Sequence, residues 1–190
     1  EMCIRDSAKG HAAPAIYATL AEAGYFPVEE LKTLRKLGTR LQGHPDSNLL
    51  PGIEVSTGSL GQGLSIAAGI AAGFKLDGVS NRVFTVMGDG ETEEGQVWEA
   101  ATFAAYQELG NLIAVVDLNG LQIDGKVDHV CASGTLAGKF AAFGWEVHEV
   151  NGHDMDALIE LFSDLKASET AQPKVCLLYT SDAADDLIGV

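Results

Sequence analysis

One aspartate flanked by glycines, Gly88-Asp89-Gly90, closes an apolar run, and Asn119 closes another thirty residues later. The first run, "RVFTVM" (Arg82 to Met87), has the β-branched and aromatic content of a short strand. The residues after it, "ETEEGQVWEAATFAAYQ", have a helical pattern. A strand that turns through glycine into a helix ends at the carboxyl edge of a parallel sheet, where open α/β sheets bind ligands. The helix start offers unpaired N–H groups and a partial positive charge, which suit an anion such as phosphate. Gly90 lets the backbone approach closely. An aspartate beside a phosphate repels it unless a cation stands between them. Mg²⁺ is such a cation: it takes oxygen ligands octahedrally, from one or two carboxylates, substrate phosphates and water. Asp89, the Asn119 amide oxygen and a nearby backbone carbonyl would supply the protein's share, with diphosphate oxygens and water completing the shell. The bland alternative is a D-G hairpin turn. It needs a second strand directly after Gly90, and a helical pattern stands there instead.

The elements that must hold these residues alternate along the chain. "HAAPAIYATLAEAG" predicts a helix closed by Gly24, with Pro27 beyond it. A second short helix is expected over Val28 to Leu37, followed by a polar loop from Gly43 to Gly52. "STGSLGQGLSIAAGIAAGF" predicts a Gly/Ala-rich helix, apolar on nearly every side, of the kind buried in a core or a subunit interface. "NLIAVVDLN", "WEVHEV" (Trp145 to Val150) and "PKVCLL" predict further strands. "DMDALIELFSDLKAS" predicts an amphipathic helix with Leu158, Phe162 and Leu165 on one face. Strands separated by helices imply βαβ units: an α/β fold with a mostly parallel sheet and helices on both faces. The segments "EMCIRDS" and "LLYTSDAADDLIGV" do not continue the patterns beside them. The expected domain is therefore 8–176, truncated at both ends, with 1–7 and 177–190 expected to be non-native sequence.

Composition narrows the function. The 190-residue chain has formal charge −15, which argues against nucleic acid and anionic membranes as partners, because phosphate backbones need clustered Lys and Arg. The longest apolar stretch, Leu64 to Phe74, is too short to span a bilayer. The cysteines, Cys3, Cys131 and Cys176, form no C-x-x-C pair, so neither a zinc site nor a disulfide framework is indicated and a cytoplasmic setting is expected. "TGSLGQG" has the spacing G-x-x-G-x-G rather than the dinucleotide fingerprint G-x-G-x-x-G, and no clear strand precedes it. Glu91 and Glu93 fit first-turn charges favoured by the helix dipole. His129, His148 and His153 are scattered and fit structural roles.

G-D-G followed by Asn at the next strand end resembles the thiamine-diphosphate/Mg²⁺ signature. The pieces "KGHAAPAIYATLAEAGYFP", "QGHPD", "VSTGSLGQGLSIAAGIA", "VMGDGETEEGQVWEAA" and "NLIAVVDLNGLQIDG" resemble the N-terminal, cofactor-diphosphate-binding part of transketolases. They are most similar to the N-terminal subunit of bacterial two-chain transketolases. The resemblance runs from about Lys9 to Val175. It implies a thiamine-diphosphate-binding fold, Mg²⁺ held by Asp89, Asn119 and the Leu121 carbonyl, and the diphosphate met by Gly90 and His11. It also implies that Gly58, Leu60 and Ile123 line the cofactor's rings, that His44 faces the donor sugar, and that Glu94 joins a carboxylate network leading to the partner active site. The implied reaction is two-carbon ketol transfer from a ketose phosphate to an aldose phosphate, with His44, His11 and Glu94 as its catalytic side chains. The implied context is the pentose phosphate pathway. The glutamate that activates the cofactor belongs, in this family, to a second domain type absent from this sequence. A C-terminal subunit or domain is therefore the expected partner, in a hetero-oligomer or homodimer. Two alternatives stay open: another thiamine-diphosphate enzyme such as 1-deoxyxylulose-5-phosphate synthase, and a non-catalytic cofactor-binding fragment.

Overall fold

The structure is a computed structural model that describes residues 4–7, 9–122, 125–131 and 134–181, with side chains except at 4–7, 11, 122 and 128. Seven strands follow one another along these residues: β1 (Ile4–Ser7), β2 (Val83–Gly88), β3 (Leu112–Leu118), β4 (Leu121–Gln122), β5 (Gly125–Lys126), β6 (Glu146–Asn151) and β7 (Lys174–Tyr179). Five of them form the main parallel sheet, in the order β1-β2-β3-β7-β6, while β4 and β5 make a small antiparallel pair. The helices are α1 (Ala13–Glu22), α2 (Gln62–Asp77), α3 (Gly95–Tyr106), α4 (Val127–Cys131), α5 (Leu136–Ala142) and α6 (Met155–Ala167).

Alternation along β3 shows why helices cover both faces. Leu112, Ala114 and Val116 point into a core shared with Leu64, Ala67 and Ala71 of α2, Val97, Ala101 and Ala104 of α3, and Phe140 of α5. Ile113 and Val115 point the other way, onto Leu165, Leu161 and Phe162 of α6. A third cluster, separate from the sheet, packs Tyr17 and Ala21 of α1 against Phe26, Leu41 and Leu50. Helices lie on both faces of a parallel sheet, as the sequence pattern implies.

One local expectation is corrected, and two features are added to the sequence pattern. Val28–Thr33 is a 3-10 helix, not an α-helix reaching Leu37. Arg35 (φ 59°) and Gly38 (φ 80°) take left-handed backbone conformations that end it. In α2 one side is uncovered by this chain: Gly69, Lys75 and Leu76 are exposed while Gly63, Leu64, Ala67, Ala68 and Ala71 are buried. The segment from Leu121 to Ala142 carries the β4–β5 pair, α4 and α5, elements too short for the sequence pattern to mark. At the ends, residues 4–7 pair with Val83–Val86 of β2, and Leu177 and Leu178 lie within β7.

Candidate functional site

The parallel pairing of β2 with β3 sets Gly88 opposite Asp117, so both strands end at the same level. Asp89 follows Gly88, and its N–H donates to the Asp117 carbonyl at 3.2 Å. Its carboxylate then bridges the gap between the strands. Oδ1 accepts from Gly90 N–H at 2.8 Å, and Oδ2 accepts from Gly120 N–H at 2.7 Å. Asn119, adjacent to Gly120, accepts from Leu121 N–H at 2.9 Å through Oδ1. The chain turns sharply there because Gly120 has φ +74°. Asp89, Asn119 and Leu121 thus meet at one corner of the sheet, although thirty residues separate the first two.

No hairpin follows Gly90. Gly90–Glu93 is a 3-10 turn capped by Asp89, and α3 begins at Gly95 with Glu94 at its N-cap. Thr92 Oγ1 donates to the Asp89 carbonyl at 2.6 Å, and Trp98 Nε1 donates to the Thr92 carbonyl at 2.8 Å. The turn that carries Asp89 and Gly90 is therefore fixed from within and from the helix behind it.

Asp89 is only 4% exposed. Burial pushes its carboxyl above the ordinary carboxylate range. The N–H groups of Gly120 and Gly90 pull it back, the Asp117 charge pushes it up, and Lys9 pulls it down. Lys9 pairs with Asp117 at the end of β3, with its own N–H on the Val86 carbonyl. A cationic side chain therefore stands at this corner.

The glycine-rich loop before α2 approaches from another side. Gly10, Gly58 and His44 converge from three distant segments. A Cβ on Gly10 would lie 2.8 Å from Gly58 Cα and from His44 Cδ2, and one on Gly58 would lie 3.0 Å from His44 Cδ2. Only glycines allow this approach. His44 also lines an open groove of about 380 Å³ with Pro45, Asp46, Ser56 and Thr57. Thr57 Oγ1 is buried there without a hydrogen-bond partner among the described residues. Leu60 is 39% exposed, and Glu94 is exposed with its Cβ facing Gly61. Ile123 lies outside the described residues, as does the side chain of His11.

Sequence reasoning misses Glu91. Far from being a solvated first-turn charge, it is 3% exposed. Oε1 accepts from Gly61 N–H at 2.9 Å and Oε2 from Gly88 N–H at 3.3 Å. Burial raises its carboxyl above the ordinary range, and the two N–H groups and Lys9 oppose that rise. Glu94, the same residue type three positions on, is exposed. The difference comes from α2, whose start packs over Glu91.

The side-chain oxygens brought together at the corner are hard donors: the buried Asp89 carboxylate and the Asn119 amide. That set fits Mg²⁺ completed by phosphate and water, and it lacks the N and S ligands that zinc prefers. Among the described residues no group of three or more His, Cys, Asp or Glu side chains is placed to hold a metal.

The sequence profile described as "Transketolase, thiamine diphosphate binding domain" matches residues 7–181. A 6-deoxy-6-sulfo-D-fructose transketolase subunit of Clostridium sp. (strain MSTE9) is 44% identical over 172 residues, covering 90% of this chain and 62% of that protein. One of the subunits of an apulose-4-phosphate transketolase from Actinobacillus succinogenes is 39% identical over 176 residues, 93% of this chain and 63% of that protein. A transketolase mutant from Pichia stipitis, solved with xylulose-5-phosphate, superimposes with TM-score 0.88 at 31% identity, covering 94% of this chain and 28% of that one. The chain thus spans somewhat less than two thirds of these bacterial subunits.

Proposed function

Because the chain belongs to the transketolase thiamine-diphosphate-binding domain family, we propose that it is the diphosphate-binding part of an enzyme that moves a two-carbon ketol unit from a ketose phosphate to an aldose phosphate, acting with a partner chain or domain. Asp89, Asn119 and the Leu121 carbonyl hold Mg²⁺ in this reading. Gly90 and His11 meet the diphosphate, and Gly58, Leu60 and Ile123 border the rings. When bound, thiamine diphosphate supplies the carbon nucleophile that carries the two-carbon unit, and the protein supplies binding, orientation and electrostatics. His44, which lines the groove, moves protons to and from the sugar's hydroxyls in this reading. Glu94, on the exposed side of Gly61, passes charge interactions toward the partner.

The observation that carries the reading is the Asp89–Gly120 bond. With it, a buried carboxylate stands beside Asn119 at the edge where parallel sheets bind phosphates. The Thr57 hydroxyl, without a partner among the described residues, lies in the His44 groove and supports a polar ligand there. The relatives' names give a sulfo sugar and a sugar phosphate, which supports an anionic sugar as substrate. The need for a partner is supported by those relatives being subunits.

The test is a calorimetric titration of thiamine diphosphate into the chain, with and without Mg²⁺. Saturable, Mg²⁺-dependent binding that Asp89→Ala abolishes is the expected result. Binding indifferent to Mg²⁺ or to Asp89→Ala overturns the reading. Once a partner is in hand, ketol transfer between xylulose-5-phosphate and ribose-5-phosphate, with pyruvate refused as donor, separates a transketolase from a 1-deoxyxylulose-5-phosphate synthase.

A further inference from the structure

Glu91 joins two parts of the site that are remote in sequence. One oxygen holds the N–H of Gly61, the N-cap of α2, which has φ +83° and no side-chain cap of its own. The other holds the N–H of Gly88, the residue before Asp89. The loop that ends at Gly61 contains Gly58 and Leu60; the strand that ends at Gly88 delivers the Asp89 corner. The fit is close on a second side as well. A Cβ on Gly61 would lie 2.6 Å from Glu94 Cβ, so the glycine turn sits directly on the residues that follow Glu91. A carboxylate buried to this degree is costly unless its oxygens are bonded. Here both are, and each bond ends on a different wall of the site.

We propose that Glu91 is a positioning residue that sets the distance between the glycine turn at 58–61 and the Asp89 corner, and so makes the site selective for a ligand that reaches both. This rests on the thiamine-diphosphate reading. A ligand with ring and diphosphate uses both walls, whereas inorganic diphosphate uses only the corner. Glu91 touches neither; it acts through the backbone of Gly61 and Gly88. Glutamine in its place keeps the shape but offers one oxygen, so one N–H loses its acceptor and faces an NH₂ group instead.

The experiment compares the full chain with Glu91→Gln and Asp89→Ala in two measurements. The first is hydrogen exchange at the Gly61 and Gly88 amides, with the Val115 amide in β3 as internal reference. Exchange at Gly61 or at Gly88, whichever faces the glutamine NH₂, is expected to speed up about tenfold in Glu91→Gln while Val115 is unchanged, as loss of one charged hydrogen bond implies. The second is titration with Mg²⁺ and either thiamine diphosphate or inorganic diphosphate. Glu91→Gln is expected to weaken thiamine diphosphate about tenfold and inorganic diphosphate less than about twofold. Asp89→Ala is expected to abolish both. If Glu91→Gln fails to melt cooperatively, Glu91→Asp, too short to reach both N–H groups, takes its place with the same expectation. Exchange unchanged at both Gly61 and Gly88, unchanged thiamine diphosphate affinity, or equal loss for the two ligands overturns the proposal. Wild-type chain that binds neither ligand, or Asp89→Ala that binds both, overturns the underlying reading instead. In that case the Gly61 and Gly88 exchange decides whether Glu91 joins the turn to the strand end.

Discussion

The Asp89 carboxylate accepts the Gly120 N–H at 2.7 Å, and through that bond the end of β2 is fixed against the end of β3. Asp89→Asn changes this in a defined way. Its amide keeps one acceptor oxygen and sets an NH₂ against the other N–H donor. The lost bond costs about 1–2 kcal/mol, and removing a buried charge offsets part of that. The expected melting temperature therefore stays within about 4 °C of wild type, while Mg²⁺-dependent diphosphate binding falls by about two orders of magnitude. Scanning calorimetry beside the titration checks both; a large stability loss would mean that Asp89 is chiefly structural.

Gly10→Ala tests the convergence of the three glycine and histidine segments. The new methyl would meet Gly58 backbone and His44 Cδ2 at 2.8 Å, and backbone cannot step aside as a flexible side-chain end can. The expected cost is about 1–3 kcal/mol, with loss of cofactor binding. Denaturant melts at fixed pH measure it. Gly24→Ala is the control: a Cβ there meets nothing within 4 Å, so its only penalty is the left-handed backbone at φ +84°.

Trp98 braces the turn after Asp89 from behind. Its indole lies 5.0 Å from the Phe140 ring and 5.1 Å from the Phe143 ring, and its N–H reaches the Thr92 carbonyl. Trp98→Phe keeps an aromatic ring in that stack and removes the hydrogen bond. A loss of about 1 kcal/mol, or about 2–4 °C in melting temperature, is expected. An unchanged melting temperature would show that the 3-10 turn is held by Thr92 and Asp89 alone.

Tyr17 gives the chain a pH dependence at the alkaline end. Its hydroxyl donates to the Gln42 carbonyl at 2.9 Å within the α1 cluster. Burial raises its pKa above the ordinary 10.0, the Asp46 charge adds to the rise, and the bond to Gln42 opposes it. An acid raised in the folded state contributes stability that is intact below its unfolded pKa and lost as pH rises through the folded one. Stability should therefore decline above pH 10.0. Tyr17→Phe should start about 1 kcal/mol lower and decline less steeply. Urea melts across that range would reject the idea if the two slopes matched.

Four strands, β2, β3, β6 and β7, were legible in the sequence as short runs rich in β-branched residues, while β1, β4 and β5 were not; the corner was legible because Asp89 and Asn119 follow the ends of β2 and β3. The parts that escaped depend on contacts across sequence. Glu91 carries the same letters around it as any charged helix start, and only the arrival of Gly61, thirty residues upstream, buries it. Val28 to Leu37 has helical composition, yet Arg35 and Gly38 adopt left-handed backbone that no local pattern marks. The apolar circumference of α2 was visible, but not which side this chain would leave open. The meeting of Gly10, Gly58 and His44 follows from three loops folding together, which no spacing rule encodes.

Lys9 resolves part of a difficulty posed by the net charge of −15, since anionic ligands need local cations. It pairs with Asp117 at the corner, and its charge lowers the pKa of both Asp89 and Glu91. A fixed cation attracts diphosphate and repels Mg²⁺, so its removal should move the two affinities in opposite directions. Lys9→Met keeps the aliphatic stem beside Gly88. It is expected to weaken inorganic diphosphate at saturating Mg²⁺ about tenfold and to strengthen Mg²⁺ alone by about threefold. Both are read by titration calorimetry at fixed ionic strength. If both affinities fall together, Lys9 supports the corner as a strut for Asp117, and the anion draws its attraction from the N–H groups at the start of α3.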